Sequence, residues 1–235
     1  MAAVLTEWGM LGVEALRDEA AVLVVVDVLS FSTAVDVAVS RGAVVYPFPH
    51  GDEAGARVAA DLVGAVLARP RRASGGGVSL SPVGHSTVPV GTKLLLPSPN
   101  GSRLSLACGD KPVLTGCLRN AAAVARAARD MAAGDAVGVI PAGERWPDGS
   151  LRPAIEDLLG TGAIIHHLAL PCSPEAQVAR DTFRAAGEDV ARLIRASVSG
   201  RELVDGGFPG DVDLAVEREV SPWVPLLTDG AYRAA

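Results

Sequence analysis

The stretch AVLVVVDVLSFSTA, residues 21–34, decides the fold and locates the first candidate site residue. Its unbroken apolar run at 22–26 predicts a strand that is covered on both faces, as in a parallel or mixed sheet. The run ends at Asp27, and three hydroxyl residues follow in the next turn: Ser30, Ser32 and Thr33. Ligands of such sheets bind at the carboxyl ends of strands, and a hydroxyl-rich turn there can open a helix that faces an anion. The alternative is that Asp27 only caps or pairs at the strand end.

Composition indicates a soluble protein of one α/β domain, residues 1–235, with a division into two lobes as the alternative. The 235 residues are 49% hydrophobic, and 21 basic against 27 acidic residues give a formal net charge of -6. No basic tract suits nucleic acid, so we expect no nucleic-acid partner. The three scattered cysteines indicate reduced thiols, and the strongest apolar run is broken at Asp27. We therefore expect a cytoplasmic location and no membrane contact.

Strand and helix patterns alternate along the chain. Strands are predicted at 22–26, 43–48, 93–96, 113–115 and 136–140, and helices at 33–40, 52–67, 119–131 and 154–168. Residues 174–199 are mainly helical in pattern, and 212–227 add a helix and a final strand. This alternation predicts a layered α/β/α fold with a mostly parallel or mixed central sheet. The exposed Ala- and Val-rich helices are compatible with a homodimer.

A long loop is predicted at 69–91, where Arg, Gly, Ser and Pro are dense. Loops of this length tend to be functional or mobile. Its pair Arg71 and Arg72 has two interpretations, an anion clamp or solvated surface charge. We favour solvated surface charge.

Acidic residues recur beside the predicted strand ends. Glu144 follows the strand at 136–140, and Glu156 and Asp157 lie in the first turn of the helix after it. Together with Asp27 they offer the carboxylate oxygens that Mg²⁺ prefers. The alternative for Glu156 and Asp157 is that acidic residues are favoured at any helix start by the macrodipole.

The turn SPNGS, residues 98–102, follows another predicted strand. Asn100 and Gly101 can present backbone N–H groups to an anion, and Ser102 opens the next helix. Asn-Gly is also the commonest turn dipeptide, so the turn alone is weak support for a phosphate site.

Other kinds of site lack their sequence patterns. The histidines have no metal-binding spacing, and His166 and His167 fall at a helix end, where a cation is favourable. No Walker lysine motif, GxGxxG strand–helix turn or GxSxG elbow is present.

Six blocks in order resemble the 2-phosphosulfolactate phosphatase family: VVVDVLSFSTAVDVAVSRGA, SPNGS, GCLRNAAAVA, AGE, IEDLLGTGAII and SGRELVDGGFPGDVDLAVE. The resemblance runs from about Val22 to Gly230. It implies a Mg²⁺-dependent phosphomonoester hydrolase with an α/β fold, which converts 2-phosphosulfolactate to sulfolactate and phosphate on the route to coenzyme M. The expected partner is a small anionic phosphorylated substrate.

The resemblance matches Asp27, Asn100 with Gly101, and Glu156 with Asp157 to motif positions of the family. Together with the strand-end pattern it leads to an expected role for each candidate residue. Asp27, Glu144 and Glu156 are expected to be catalytic, and Asp27, Glu156 and Asp157 to hold or orient Mg²⁺. The expected substrate-binding residues are Ser30, Ser32, Thr33, Asn100, Gly101, Ser102 and Arg152. Whether Asp27 is a metal ligand, a base or the nucleophile stays open.

Four departures from the family pattern bear on the substrate. Ser30 and Phe31 stand where the family has Arg-Ala, which removes a guanidinium suited to phosphate or sulfonate. Ser81 and Pro82 lack the preceding Asn, SPNGS replaces TTNGT, and Ile155 replaces a serine. Arg152 and Arg201 are candidates to compensate for the missing guanidinium. Two alternatives therefore stand beside the first function: a non-catalytic relative that binds an anionic metabolite, and a hydrolase of a different phosphorylated 2-hydroxy acid.

Overall fold

The computed structural model describes residues 4–72 and 78–235. The glycine run 75–77 of the predicted loop 69–91 lies outside the described residues. The strands are β1 (Val4–Thr6), β2 (Val22–Val26), β3 (Val44–Pro49), β4 (Val66–Leu67), β5 (Lys93–Ser98), β6 (Val113–Thr115), β7 (Val137–Pro141), β8 (Glu144–Arg145), β9 (Leu151–Arg152), β10 (Pro225–Thr228) and β11 (Ala231–Ala234).

Helices connect most of these strands. They are α1 (Gly9–Leu16), α2 (Phe31–Ser40), α3 (Glu53–Val63), α4 (Pro82–His85), α5 (Gly101–Ala107), α6 (Ala121–Ala132), α7 (Ile155–Leu168), α8 (Pro174–Ala186), α9 (Val190–Ala196), α10 (Val198–Asp205) and α11 (Pro209–Ala215), with a short 3-10 helix at Gly187–Asp189. In the described part of the chain, no helix has both the length and the hydropathy needed to span a bilayer.

Among the described residues, nine strands form one sheet in the order β1-β7-β2-β6-β10-β11-β3-β5-β4. Parallel pairing joins β1, β7, β2 and β6 into one block and β3, β5 and β4 into another. The antiparallel hairpin β10–β11 lies between the blocks and pairs with β6 on one side and β3 on the other. Three antiparallel pairings in succession make β3, β5 and β4 run opposite to β2.

Both faces of the sheet are covered, and β2 shows this residue by residue. Val22, Val24 and Val26 pack into a core with residues of α6, α7 and α8. Leu23 and Val25 point the other way, into a core shared with α1, α2 and α5. The predicted layered α/β/α fold with a mixed sheet is therefore confirmed.

Most predicted elements are present, and the differences have local causes. The helix predicted at 52–67 ends at Val63, because Gly64 takes a left-handed conformation with φ of 63° and terminates it. Val66–Leu67 then pairs with β5 as a strand. The elements β1 and α1 and the hairpin β8–β9 were not predicted, because each is short and none has a long periodic pattern.

Candidate functional site

A pocket of about 130 Å³ lies beside the carboxyl end of β2. Four elements contribute its polar lining: the β2–α2 turn, the turn before α5, the loop after β4, and β8. The polar side chains are Asp27, Ser30, Arg71, Ser98, Asn100 and Glu144. Of the residues predicted to form the site, the structure therefore brings Asp27, Ser30, Asn100 and Glu144 to one pocket.

Asp27 links the starts of two helices. One carboxylate oxygen accepts a hydrogen bond from the Phe31 N–H at the start of α2, at 3.2 Å, and the other accepts from the Gly101 N–H at the start of α5, at 2.8 Å. A carboxylate at helix N-termini is stabilised by their unpaired N–H groups and dipoles. Gly101 follows β5, which runs in the opposite direction to β2. The loops after β2 and β5, rather than a common edge of parallel strands, therefore bring Asp27 and Gly101 together.

Gly101 allows this close approach because it has no side chain. A Cβ there would lie 2.2 Å from the Phe31 ring. Gly101 was predicted to present its backbone N–H to a substrate anion, but in this structure that N–H is donated to the Asp27 carboxylate instead.

The charge state of Asp27 is set by opposing effects. Burial raises the pKa of its carboxyl, and the nearby Glu156 carboxylate raises it further, while the N–H groups of Gly101 and Phe31 and the charge of Arg71 lower it. The raising effects dominate. A buried carboxyl with a shifted pKa in a pocket is a common mark of a functional site.

Glu144 lines the same pocket as Asp27. Its Oε2 accepts a hydrogen bond from Asn100 Nδ2 at 3.0 Å. Burial, and then the charge of Asp27, raise the pKa of Glu144 to about 7. At neutral pH this carboxyl can therefore either hold or release a proton.

Glu156 and Asp157 lie beneath the pocket, in the first turn of α7, and both are buried. Asp157 accepts backbone N–H groups at both oxygens, from Val28 at 2.7 Å and Gly143 at 2.8 Å. It thus holds the loop after β2 against the loop after β7. Burial and the charges of Asp27 and Glu156 hold its pKa well above the usual value. Glu156 differs, because its Oε2 is buried without a hydrogen-bond partner.

Among the residues that the structure describes, Arg71 is the cationic side chain of the pocket lining. Its Nε donates to Asp211 Oδ2 of α11 at 2.9 Å, and its Nη2 donates to Ser30 Oγ at 2.5 Å. Asp211 is itself buried and accepts from Ser81 Oγ. The guanidinium is only partly exposed, so the interpretation of Arg71 as solvated surface charge is wrong.

Three predicted substrate-binding hydroxyls are fully buried and serve the fold. Ser32 Oγ accepts from the Asp27 N–H and pairs with Thr115 Oγ1, Thr33 Oγ1 donates to the Val28 carbonyl, and Ser102 Oγ donates to the Leu96 carbonyl. None of the three is part of the pocket lining. In this structure they fix the turns that carry Asp27 and Asn100.

Arg152 and Arg201 make their contacts outside the pocket lining, although the charge of Arg152 partly offsets the rise in the pKa of Glu144. Arg152 Nη2 contacts Glu202 Oε2 of α10 at 3.3 Å, and its guanidinium lies over the Trp146 ring. Arg201 donates to the Ala196 carbonyl. Neither lines the pocket, so the structure offers Arg71 as the compensating guanidinium in their place.

The donor chemistry fits a magnesium ion. Mg²⁺ is commonly held by one or two carboxylates, with waters and substrate phosphate oxygens completing its shell. The Oε2 of Glu156 is buried without a hydrogen-bond partner, and the charge of Glu156 acts on Asp27, so a cation bound nearby would give this oxygen a partner. Within residues 4–72 and 78–235, no group of three or more His, Cys, Asp and Glu side chains is placed to hold an ion by itself. The arrangement therefore suits Mg²⁺ with few protein ligands, and it does not form a closed protein cage.

Sequence reasoning missed Arg71 and Ser98 as pocket residues. Arg71 is 140 positions from its partner Asp211, so no local pattern reveals the pair. The sequence does show several acidic residues near the predicted site, and buried acids of that kind require a cation close to them. Only the fold shows which of the arginines supplies it.

Comparison with known proteins agrees with the resemblance seen in the sequence. The model of the family described as 2-phosphosulpholactate phosphatase matches residues 12–230. A protein of Pseudothermotoga lettingae named probable 2-phosphosulfolactate phosphatase is 25% identical over 213 residues, which are 90% of this chain and 91% of that protein. A 2-phosphosulfolactate phosphatase of Methanothermobacter thermautotrophicus is 36% identical over 142 residues, which are 60% of this chain and 58% of that protein.

Proposed function

Because this chain belongs to the 2-phosphosulpholactate phosphatase family, we propose that it hydrolyses a small acidic phosphomonoester, with 2-phosphosulfolactate as the substrate and Mg²⁺ as the cofactor. The products are sulfolactate, on the route to coenzyme M, and inorganic phosphate. One observation in the structure carries the proposal: Asp27 and Glu144 share a pocket with the guanidinium of Arg71. Acids and a cation around one small cavity suit a phosphate ester whose charge must be bound and whose leaving group needs a proton.

Arg71 and the Asn100 turn are the substrate-binding groups of this mechanism. The guanidinium donates to phosphate oxygens from a position fixed by Asp211 and Ser30. A fixed donor stabilises charge that develops in the transition state without reorganising first. The side chain of Asn100 is positioned by its bond to Glu144.

Asp27 and Glu156 are the residues that would hold Mg²⁺, directly or through water. When bound there, the ion supplies charge neutralisation for the phosphate oxygens. Asp157 positions the two loops around them through its bonds to Val28 and Gly143. The choice among metal ligand, base and nucleophile for Asp27 is left to experiment.

Glu144 is the proton donor for the leaving group. The bond from phosphorus to the ester oxygen breaks, the released alkoxide takes the proton of Glu144, and water supplies the oxygen that remains on the phosphate. With a pKa of about 7, Glu144 holds that proton in a substantial share of molecules at neutral pH. Burial and the charge of the nearby Asp27 both oppose the ionisation of Glu144, which supports its role as a proton donor.

Arg71 also bears on the alternative of a non-catalytic relative, which arose from the missing arginine at position 30. The guanidinium of Arg71 contacts Ser30 Oγ, so a guanidinium is present at that point of the pocket. This observation favours the enzyme over the binding relative.

The test is phosphate release by the purified protein from 2-phosphosulfolactate, phospholactate and other small phosphomonoesters, with Mg²⁺ and with a chelator. We expect Mg²⁺-dependent release that is fastest from 2-phosphosulfolactate. Faster phosphate release from another phosphorylated 2-hydroxy acid would identify that compound as the substrate. Phosphate release that continues in the presence of the chelator would show that the reaction does not need Mg²⁺. No release from any ester, by protein that binds them, would favour the non-catalytic relative.

A further inference from the structure

A second cavity, of about 220 Å³, adjoins the pocket. Asn100 and Glu144 line both spaces, so the two cavities meet at this hydrogen-bonded pair of side chains. We call this space the adjoining cavity. The remaining residues that line it include Trp8, Arg103, Arg145 and Leu151.

The two arginines of the adjoining cavity are not neutralised. Arg103 of α5 is exposed and makes no hydrogen bond or ion pair with the described residues. Arg145 of β8 is also exposed, and its bond is to the neutral carbonyl of Gly149, at 3.2 Å. Among the described residues that line the cavity, Glu144 is the acid, so one carboxyl stands against two guanidinium groups. The adjoining cavity therefore has an excess of positive charge.

The pocket alone does not match the charge of the proposed substrate. 2-Phosphosulfolactate carries a carboxylate and a sulfonate in addition to its phosphate. The cation of the pocket lining is Arg71, which is already paired with Asp211. Two further anionic groups would lie beside Asp27 and Glu144 without a cation of their own.

Another cavity on the far side of the pocket, which shares Leu80 and Pro97 with it, is less suitable. Its charged lining contains two arginines, Arg57 and Arg69, and two acids, Asp52 and Glu53. Opposite charges in equal number give no net attraction for an anion. The charge balance thus favours the adjoining cavity.

Size leads to the same choice of a composite site. Pockets for small molecules usually have volumes of roughly 300–1,000 Å³. The pocket, at about 130 Å³, is below that range and needs a neighbouring cavity to reach it, either the adjoining cavity at about 220 Å³ or the far one at about 320 Å³. The charge balance selects between the two.

We propose that Arg103 and Arg145 bind the non-phosphate anionic end of the substrate, so that the phosphate lies in the pocket and a carboxylate or sulfonate lies in the adjoining cavity. The two arginines are then specificity-determining residues that select esters with a second anionic group. This inference rests on the proposed function for the identity of the substrate.

Binding of sulfolactate is the first measurement, because it carries the carboxylate and sulfonate but no phosphate and needs no turnover. Isothermal calorimetry on the full chain would compare the unchanged protein with Arg103→Gln, Arg145→Gln and the double variant. We expect Kd to rise about threefold in each single variant and about tenfold in the double variant, as for partly exposed charge-assisted hydrogen bonds. Arg57→Gln, an exposed arginine of the far cavity, is the matched control and should leave Kd unchanged.

Steady-state kinetics give the second readout. For 2-phosphosulfolactate the double variant should raise KM about tenfold with little change in kcat. For isopropyl phosphate, which has no second anion, both parameters should stay the same.

The outcomes separate the two proposals. Equal Kd for sulfolactate in all variants, no measurable binding by the unchanged protein, or the same loss with Arg57→Gln would overturn the role of Arg103 and Arg145. Failure of phosphate release, with the expected differences in sulfolactate binding, would overturn the proposed function and leave the anion site in place.

Discussion

Asp27 and Asp157 make the same kind of contact, since each carboxylate accepts two backbone N–H groups from different loops. They differ in their access to a ligand. Asp27 lines the pocket, and Asp157 lies beneath it. This pair allows the chemical role of a carboxylate to be separated from its structural role.

The first prediction uses that pair. In Asp27→Asn or Asp157→Asn, an amide group with one oxygen must face two N–H donors, so one buried donor loses its partner at a cost of about 1–3 kcal/mol. We expect similar losses of stability in urea denaturation. Only Asp27→Asn should also lower kcat, by at least about a hundredfold, because it removes charge at the reacting centre. An equal loss of kcat in both variants would assign Asp27 a structural role alone.

The second prediction concerns Glu144, whose pKa of about 7 follows from burial and the charge of Asp27. As the proton donor, it must be protonated, so kcat should fall as pH rises through 7. Glu144→Gln cannot give up a proton, and it should lower kcat and remove this dependence. The measurement is kcat from pH 5.5 to 8.5.

Asp148→Asn is the control for that profile. Asp148 is an exposed acid of the β8–β9 turn, and its pKa is lowered by a hydrogen bond from Ser150. It should leave the profile unchanged. If kcat of Glu144→Gln still fell as the pH rose through 7, the proton for the leaving group would have to come from another residue.

At the residue level, the sequence predicted acids better than it predicted their partners. Asp27 follows β2 directly and Glu144 comes three residues after the parallel strand β7, so the general rule about strand ends located both acids. Asn100 follows β5, which runs opposite to β2, and its loop brings it to the pocket. Ser32, Thr33 and Ser102 follow strands too, yet their hydroxyls bond inward. A helix turns successive side chains through large angles, so position in a turn does not determine which hydroxyl faces the pocket.

At the level of elements, α7 and α8 pack closely at a glycine. A Cβ on Gly162 would lie 2.3 Å from the Ala179 carbonyl oxygen and 2.7 Å from Phe183 Cβ. Because α7 also carries Glu156 and Asp157, this contact fixes the helix that supports the pocket floor. Backbone atoms cannot move aside as a flexible side chain can.

The third prediction follows from that contact. Gly162→Ala should destabilise the protein by about 1–3 kcal/mol, because the helices must separate to admit a methyl group. Gly84→Ala in α4 is the control, since its new Cβ has only Ser79 Oγ nearby, at 3.9 Å. Its stability should be unchanged or slightly higher. Urea denaturation of both variants makes the comparison, and equal stability would show that α7 and α8 can adjust freely.

Sequence patterns identified the long elements and missed most of the short ones, although the three-residue strand at 113–115 was predicted correctly. The strand at 22–26 and the helix α7 have long apolar patterns, and the structure reproduces them almost to the residue. The hairpin β8–β9 has two residues in each strand, too few to form a pattern. Its position matters for the site, because it carries Glu144 and Arg145.

For the whole molecule, the buried acids link stability to pH. Burial and mutual repulsion raise the pKa values of Asp27, Glu144 and Asp157 above those of the unfolded chain. The folded state therefore binds more protons, and the stability from these groups is complete below their unfolded pKa values and is lost as pH rises through the folded ones. For Glu144 that window runs from 4.5 to about 7.

The fourth prediction is a larger thermal stabilisation by Mg²⁺ at pH 8 than at pH 5.5. A ligand at 100 times its Kd adds about 2.7 kcal/mol to the folded state, which for a chain of this size is roughly 5–10 °C in Tm. At pH 5.5 protons compete with the ion for the same oxygens, so the shift should be smaller. Thermal unfolding with MgCl₂ would be measured against NaCl at equal ionic strength.

Two results would count against this prediction. An equal rise of Tm in NaCl would indicate general charge screening. No rise of Tm with MgCl₂ at pH 8 would show that these acids do not bind Mg²⁺. Asp27→Asn adds a third comparison, since it should reduce the shift even if it retains no activity.

The hairpin β10–β11 gives the order in which the chain can complete its fold during synthesis. It joins the two parallel blocks of the sheet, and it comes after every other strand in the sequence. Until those residues have left the ribosome, the edge of β6 that pairs with β10 and the edge of β3 that pairs with β11 have no partner strand. The residues of both parallel blocks have by then been synthesised. Open strand edges invite pairing with other chains. Closure of the sheet is therefore a late, long-range event, and we expect the nascent protein to depend on chaperones until its last strands emerge.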